Sequence, residues 1–161
     1  IDTTNRGREM TMTSVKSNVE SKNGKKDGPW VRYYDNGQVE FKGNLKNGKM
    51  HGPWVWYYDN GQVHLKETYK DGKDHGPWAH YHKNGQVEFK GNFKNGELDG
   101  PWVIYHENGQ VKAKRTLKDG KDDGPYVRYY DNGQVEFKGN LKNGKLTAPN
   151  CTPQERSRNE A

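Results

Sequence analysis

From Gly28 to Leu146 apolar and polar residues alternate in short runs, each cut off by a pair of turn residues. In GPWVRYYDNGQVEFKGNLKNG, for example, Val39, Phe41 and Leu45 fall on alternate positions with Glu40, Lys42 and Asn44 between them. A period of 2 is the signature of strands whose two faces meet different surroundings. Runs such as WVWYY and QVHLKETYK are rich in β-branched and aromatic residues, as strands are. A Gly or Pro every few residues and the lack of any 3.6-residue apolar spacing argue against helices.

The punctuation is periodic. Gly-Pro recurs at Gly28, Gly52, Gly76, Gly100 and Gly124, and Asn-Gly keeps the same step at Asn36, Asn60, Asn84, Asn108 and Asn132. A second series of turns falls at Asn23, Asn47, Asp71, Asn95, Asp119 and Asn143, each followed by Gly. Each unit therefore holds two turns, and Asn-Gly or Asp-Gly between strand-like runs is the strongest short-range hairpin signal.

Residues opposed across a two-residue turn share a face, so the register can be tested on the letters alone. Around Asn36-Gly37, Tyr34 opposes Val39, Arg32 opposes Phe41 and Trp30 opposes Gly43. Around Asn47-Gly48, Leu45 opposes Met50, Phe41 opposes Trp54 and Val39 opposes Trp56. Both turns then gather Trp, Val, Phe, Leu and the second Tyr of each unit on one face, leaving Tyr33, Glu40 and Lys42 on the other. Trp30 over Gly43 also fits the way aromatic rings cover strand glycines. A competing register, with a three-residue Asp-Asn-Gly loop and a bulge, would join Val31 and Tyr33 to Val39 and Phe41; the agreement between the two turns favours the two-residue reading.

The expected fold is all-β: a repeat meander of about eleven antiparallel strands forming one elongated, twisted or rolled sheet, ~50 Å long at ~4.8 Å per strand. The repeat domain spans 14–146, with units starting at 28, 52, 76, 100 and 124. A degenerate cap at 14–27 lines SVKSNVESKNGK up with VEFKGNLKNGK one period later without the aromatics, and disordered tails are expected at 1–13 and 147–161.

Composition changes this picture little. Hydrophobic residues make up only 29% of the 161, too few for a thick core, but ten Tyr and five Trp supply large apolar areas to a thin one. The net charge of +6 is spread among interspersed Lys and Asp/Glu, which reads first as solubility. Cys151 is the single cysteine, leaving no intrachain disulfide or multi-cysteine metal site. No apolar run approaches the ~20 residues of a membrane-spanning helix. The chain opens on Ile1 without a signal-peptide core, as a processed or trimmed product would.

GPWVWYYDNGQVHLKETYKDGK and its copies are similar to the MORN repeat (membrane occupation and recognition nexus), in the variant form with YYxNGQ that is also found in the antitoxin family called YwqK. The resemblance covers about Lys25 to Lys145. Its departures are Tyr126 for Trp, His82 and His106 for the second Tyr, and Glu67 and Arg115 for the strand Gly. It implies a sheet of consecutive hairpins used for protein contacts and dimerisation, a proposed phospholipid role, and catalysis only where a separate domain supplies it.

The residues read as non-catalytic. Ser14, Ser17, Ser21 and Ser157 lie outside the regular units, no phosphate-binding GxxxxGK[ST] loop occurs, and Glu40, Glu88 and Glu136 are spaced ~10 Å or more apart. No cofactor is implied. His80 and His82 share a face, but His106 lies two strands away, ~9.6 Å, which is long for two ligands of one zinc, so no metal site is expected. The candidate binding residues are two ladders on the face opposite the Trp residues: Tyr33, Tyr57, Tyr81, Tyr105 and Tyr129, beside small apolar Val31, Val55, Ala79, Val103 and Val127, and Lys42, Lys66, Lys90, Lys114 and Lys138. An aromatic and basic stripe can anchor a partner; it can equally cover the sheet through cross-strand Tyr and Lys methylenes. Glu40, Glu88 and Glu136 in register with the lysines argue against nucleic acid and weaken a membrane-surface reading. A protein partner, including a second copy joined through exposed sheet edges, is the expectation. An antitoxin or immunity role by surface contact is the first alternative, and phospholipid-headgroup binding the second.

Overall fold

The computed structural model describes residues 20–22 and 24–147. Fourteen strand segments run β1 Glu20–Lys22, β2 Lys25–Tyr33, β3 Val39–Lys46, β4 Lys49–Tyr57, β5 Val63–Lys70, β6 Lys73–Asp74, β7 Gly76–Tyr81, β8 Val87–Lys94, β9 Glu97–Leu98, β10 Gly100–Tyr105, β11 Val111–Lys118, β12 Lys121–Tyr129, β13 Val135–Lys142 and β14 Lys145–Thr147. Each pairs antiparallel with its neighbours in chain order, β6 and β9 being short side pieces on β5 and β8, and the two ends of the meander do not pair with each other. The expected all-β meander is therefore the observed one, left open rather than closed into a barrel. Of the expected cap, β1 pairs with Lys25–Asp27; residues 14–19 and the expected tails lie outside the described residues, apart from Thr147 at the end of β14.

Asn47-Gly48 forms the expected two-residue turn: both residues have positive φ, 53° and 75°, and Leu45 faces Met50. The tyrosine-side turn does not. Gly37 has φ 82° while Asn36 lies outside the positive-φ set, Gly37 N–H donates to Tyr34 O at 2.9 Å, and Tyr34 N–H donates to Gln38 O at 2.8 Å. This is the three-residue Asp-Asn-Gly loop of the competing register, with glycine in the left-handed position. The Asn36 amide explains the preference: its Oδ1 accepts from Gln38 N–H at 2.9 Å and its Nδ2 donates to Asp59 O of the next unit at 2.8 Å.

Two bulges then reset the pairing. Tyr33 faces Val39, but Arg32 faces Phe41 and Trp30 faces Gly43, so Glu40 is the extra residue of a one-residue bulge. The bulge cancels the loop's offset and restores the expected register for the rest of the hairpin. On the other side of β3, Asn44 faces His51 while Lys42 faces Val55, leaving Gly52, Pro53 and Trp54 against Gly43 alone. Gly52 has φ 73°, and Pro53 sits at a bulge where it owes no ladder hydrogen bond. The two-residue slip keeps every face but changes the partners: Phe41 lies opposite Trp56, not Trp54, and Val39 does not oppose Trp56.

The core is a single layer on the Trp face. Its most buried members are Trp54 (2% exposed), Trp102, Leu45, Ala113 and Leu117. The ring on Gly43 is that of Trp54 rather than of Trp30: a Cβ at Gly43 would lie 2.1 Å from Trp54 Cδ2, and one at Gly91 2.1 Å from Trp102 Cε3. Where the glycine is replaced, polar contacts substitute for it. Trp78 Nε1–H donates to Glu67 at 2.9 Å and Tyr69 O–H to the same carboxylate at 2.6 Å, while Arg115 lies 6.0 Å over Trp102 and pairs with Asp122 at 3.3 Å. Both rims are laced from unit to unit. Tyr34 O–H donates to Tyr57 O at 2.6 Å and Tyr58 O–H to Tyr81 O at 2.7 Å, and on the far rim Gly48 and Gly72 N–H donate to Lys26 and Met50 O.

Candidate binding face

The face away from the Trp layer is assembled as the period of 2 requires. Reading across the sheet, Val31, Lys42, Val55, Lys66, Ala79, Lys90, Val103, Lys114, Val127 and Lys138 oppose one another strand by strand. All five lysines are exposed, and Tyr33, Tyr57, Tyr81, Tyr105 and Tyr129 form a half-buried row beside them. The structure thus brings together all ten sequence-predicted residues. It also joins the ladders: Lys42 Nζ lies 5.5 Å from the Tyr57 ring, Lys66 Nζ 5.5 Å from Tyr81 and Lys90 Nζ 5.4 Å from Tyr105. Each is a cation–π contact between neighbouring units.

The bulge overturns one expectation about this face. Glu40, Glu88 and Glu136 do not stand among the lysines; as the extra residue of each bulge the glutamate turns to the Trp face. There it meets Arg32 at 2.8 Å, His80 at 2.8 Å and Arg128 at 2.7 Å respectively. Val39, expected beside the Trp residues, moves the opposite way and faces Tyr33. Among the described residues, acidic side chains of the lysine face gather near the second series of turns, as at Asp27, Asp71, Glu97, Asp99 and Asp123; there Asp123 is held by Lys142 at 2.8 Å, Asp71 lies 3.9 Å from His51, and Asp27 accepts from Asn47 N–H. In the second and third units the position of Asp27 is taken by His51 and His75. Among the described residues none of the five ladder lysines is paired with a carboxylate.

A trough of about 580 Å³ crosses the middle of this face. Pro53, Pro77 and Pro101 line one side, Val55, Ala79 and Val103 the floor, and Lys66, Lys90 and Tyr81 the other wall, with Thr68 and Asn92 between the prolines. Ala79 stands where four units have Val, and the missing methyls deepen the floor at that point. Sequence reasoning named Ala79 only as a member of the Val row and passed over the prolines. Their regular step and their place on the lysine face both follow from the period of 2; what the two-residue slip adds is that Lys66 lies opposite Ala79 rather than Pro77.

Histidine does something the sequence hid. His64 Nε2 and His80 Nε2 are 3.0 Å apart on the Trp face, so one must donate and the other accept, and His80 Nδ1 faces Glu88. His64 also packs 4.3 Å from the Tyr58 ring, over which Lys83 Nζ lies at 5.7 Å. His64 and His80 meet because the bulge turns His64 inward. Burial, then the neighbouring His80, holds the His64 pKa below the usual histidine value. Below about pH 6.5 the unfolded chain takes up a proton that native His64 resists, so the unfolded state binds more protons and stability falls with acidification. A plot of melting temperature against pH is expected to bend downward from about 6.5, and His64→Gln to flatten that bend; an unchanged bend in the variant would assign it elsewhere. His106, by contrast, replaces the second Tyr in kind: its Nε2 donates to Tyr129 O at 3.0 Å as Tyr34 does to Tyr57 O. Among the described residues no three His, Cys, Asp or Glu side chains converge on a common point, and no helix is long and apolar enough to cross a membrane.

An open sheet of five like units, one face packed and the other left to solvent, defines a β-repeat module. The chain belongs to the MORN repeat variant family, whose model matches residues 26–47, 50–71, 74–95, 98–119 and 122–143. MORN repeats are in general binding and scaffold modules rather than enzymes. The match is to the repeat and does not extend to the narrower YwqK class. A comparison with curated proteins gives no match.

Proposed function

We propose that the chain is a non-catalytic binding module that docks a protein partner on its Lys, Tyr and Pro face. The observation that carries this reading is the division of labour between the faces. The Trp layer, with the glutamates of the bulges, is spent on holding the sheet together. The other face presents unpaired ammonium groups, ordered over tyrosine rings, beside a recessed apolar trough. An apolar recess rimmed by fixed charge is what a specific contact uses. An antitoxin acting by surface contact would be one case of this reading, since it too needs a face rather than a reactive group.

A photo-crosslinking amino acid placed at Thr68 or Asn92 on the lysine face, and at Trp56 on the other, tests the proposal in cells that naturally hold the protein. Discrete crosslinked species are expected from Thr68 and Asn92 and not from Trp56. Equal capture from both faces, or capture from Trp56 alone, would put the docking surface elsewhere.

A further inference from the structure

We infer that the trough across Ala79 takes an acidic protein segment in the polyproline II conformation, with a carboxylate at every third position. This rests on the proposed docking role of the face and specifies the chemistry of its partner.

The inference follows from a match of pitches. The ladder lysines stand two strands apart, which sets successive ammonium groups ~9.6 Å from one another across the sheet. A polyproline II segment has three residues per turn at a rise of about 3.1 Å, so every third side chain points the same way at intervals of about 9.3 Å. Carboxylates at that spacing would meet Lys66 and Lys90 in succession. The two residues between them would lie over Ala79, which is flanked by both lysines in the sheet register. Such a segment carries its backbone solvated and needs no strand edge, so it can cross the strands rather than add to them. Between Pro53 and Pro101 the trough is on the order of 19 Å long, about six residues of this conformation.

Charge and order favour the same occupant. Lys66 and Lys90 have no carboxylate partner among the described residues and their ammonium groups are held over Tyr81 and Tyr105, so little freedom is lost on binding. The same contacts weigh against single-stranded nucleic acid, because ring faces already covered by ammonium groups are poor platforms for stacking bases. An anionic lipid surface would use the lysines but leave the recess between the prolines unfilled. A second copy of this face would bring like charges together.

The test uses the full chain and labelled peptides of about twelve residues, read by fluorescence anisotropy at low salt. One peptide repeats Glu-Pro-Pro; a second has the same composition with its glutamates clustered at one end. Phosphatidylserine vesicles and single-stranded DNA serve as competitors at equal negative charge. The regular peptide is expected to bind at least about tenfold more tightly than the clustered one. Lys66→Glu with Lys90→Glu should abolish that preference, and Lys112→Glu, at the exposed bulge residue of β11 on the Trp face, should leave it nearly unchanged. Ala79→Phe should block the trough; Ala79→Val, which installs the residue four other units carry, keeps the test valid if the larger side chain disturbs folding, and should weaken binding severalfold. Equal binding of the two peptides, indifference to both Ala79 variants, or complete competition by vesicles or DNA would overturn the inference. These outcomes are separable from the broader reading: crosslinking at Thr68 with no peptide preference rejects the spacing alone, whereas no crosslinking at Thr68 or Asn92 rejects the docking face.

Discussion

Gly43→Ala and Gly91→Ala are each expected to destabilise the protein by ~3 kcal/mol, while Gly139→Ala changes stability by less than ~1 kcal/mol. All three are strand glycines at the same place in the repeat, and none has a positive φ that an alanine would resist. Only the neighbour differs. At Gly43 and Gly91 the new methyl would overlap the Trp54 and Trp102 rings at 2.1 Å, and each ring is among the most buried side chains of the sheet and cannot step aside. At Gly139 the nearest atoms are Phe137 Cζ at 3.1 Å and the flexible end of Leu146 at 3.4 Å. Urea unfolding followed by circular dichroism would measure the order. A Gly139→Ala loss as large as the other two would mean that conformational demands of the strand, and not the tryptophans, set the requirement for glycine.

The second large effect is Trp54→Ala, expected to cost ~3–5 kcal/mol. Trp54 is 2% exposed, and its ring centroid lies within 6.5 Å of Trp30, Phe41, Trp56 and Tyr69. Each unit contacts only its sequence neighbours, so the loss should fall on the junction of the first two units and lower the cooperativity of unfolding as well as the midpoint. The two substitutions are also coupled. In a Trp54→Ala background the Gly43 methyl meets no ring, and Gly43→Ala should become nearly neutral; an additive cost would show that Trp54 and Gly43 do not pack on each other.

Much of this was legible in the letters. Period-2 alternation, the constant step of Gly-Pro and Asn-Gly, and the pairing of Trp30 with Gly43 gave the meander and the correct face for Tyr33, Lys42 and their copies. What escaped was local in cause and long-range in effect. Asn36-Gly37 carries the letters of a two-residue turn, but the Asn36 amide oxygen accepts from Gln38 N–H and closes a three-residue loop, as its counterpart does in all five units. The bulge at Glu40 followed from that loop and reversed the reading of the charges: carboxylates that counted against an anionic partner lie on the other face. The His64–His80 contact depends on the same displaced register, and the trough at Ala79 on the separate two-residue slip that sets Lys66 opposite Ala79 rather than Pro77.

The division of charge between the faces rests on that bulge, and cysteine pairing measures it most directly. In a Cys151→Ser background, cysteines at Tyr33 and Val39 should oxidise readily to a disulfide, because those residues face each other on one side of the sheet. Cysteines at Tyr34 and Val39 should remain reduced under the same conditions. Rapid bridging of Tyr34 with Val39 and none of Tyr33 with Val39 would restore the unbulged register, return Glu40 to the lysine face, and contradict the proposed docking face.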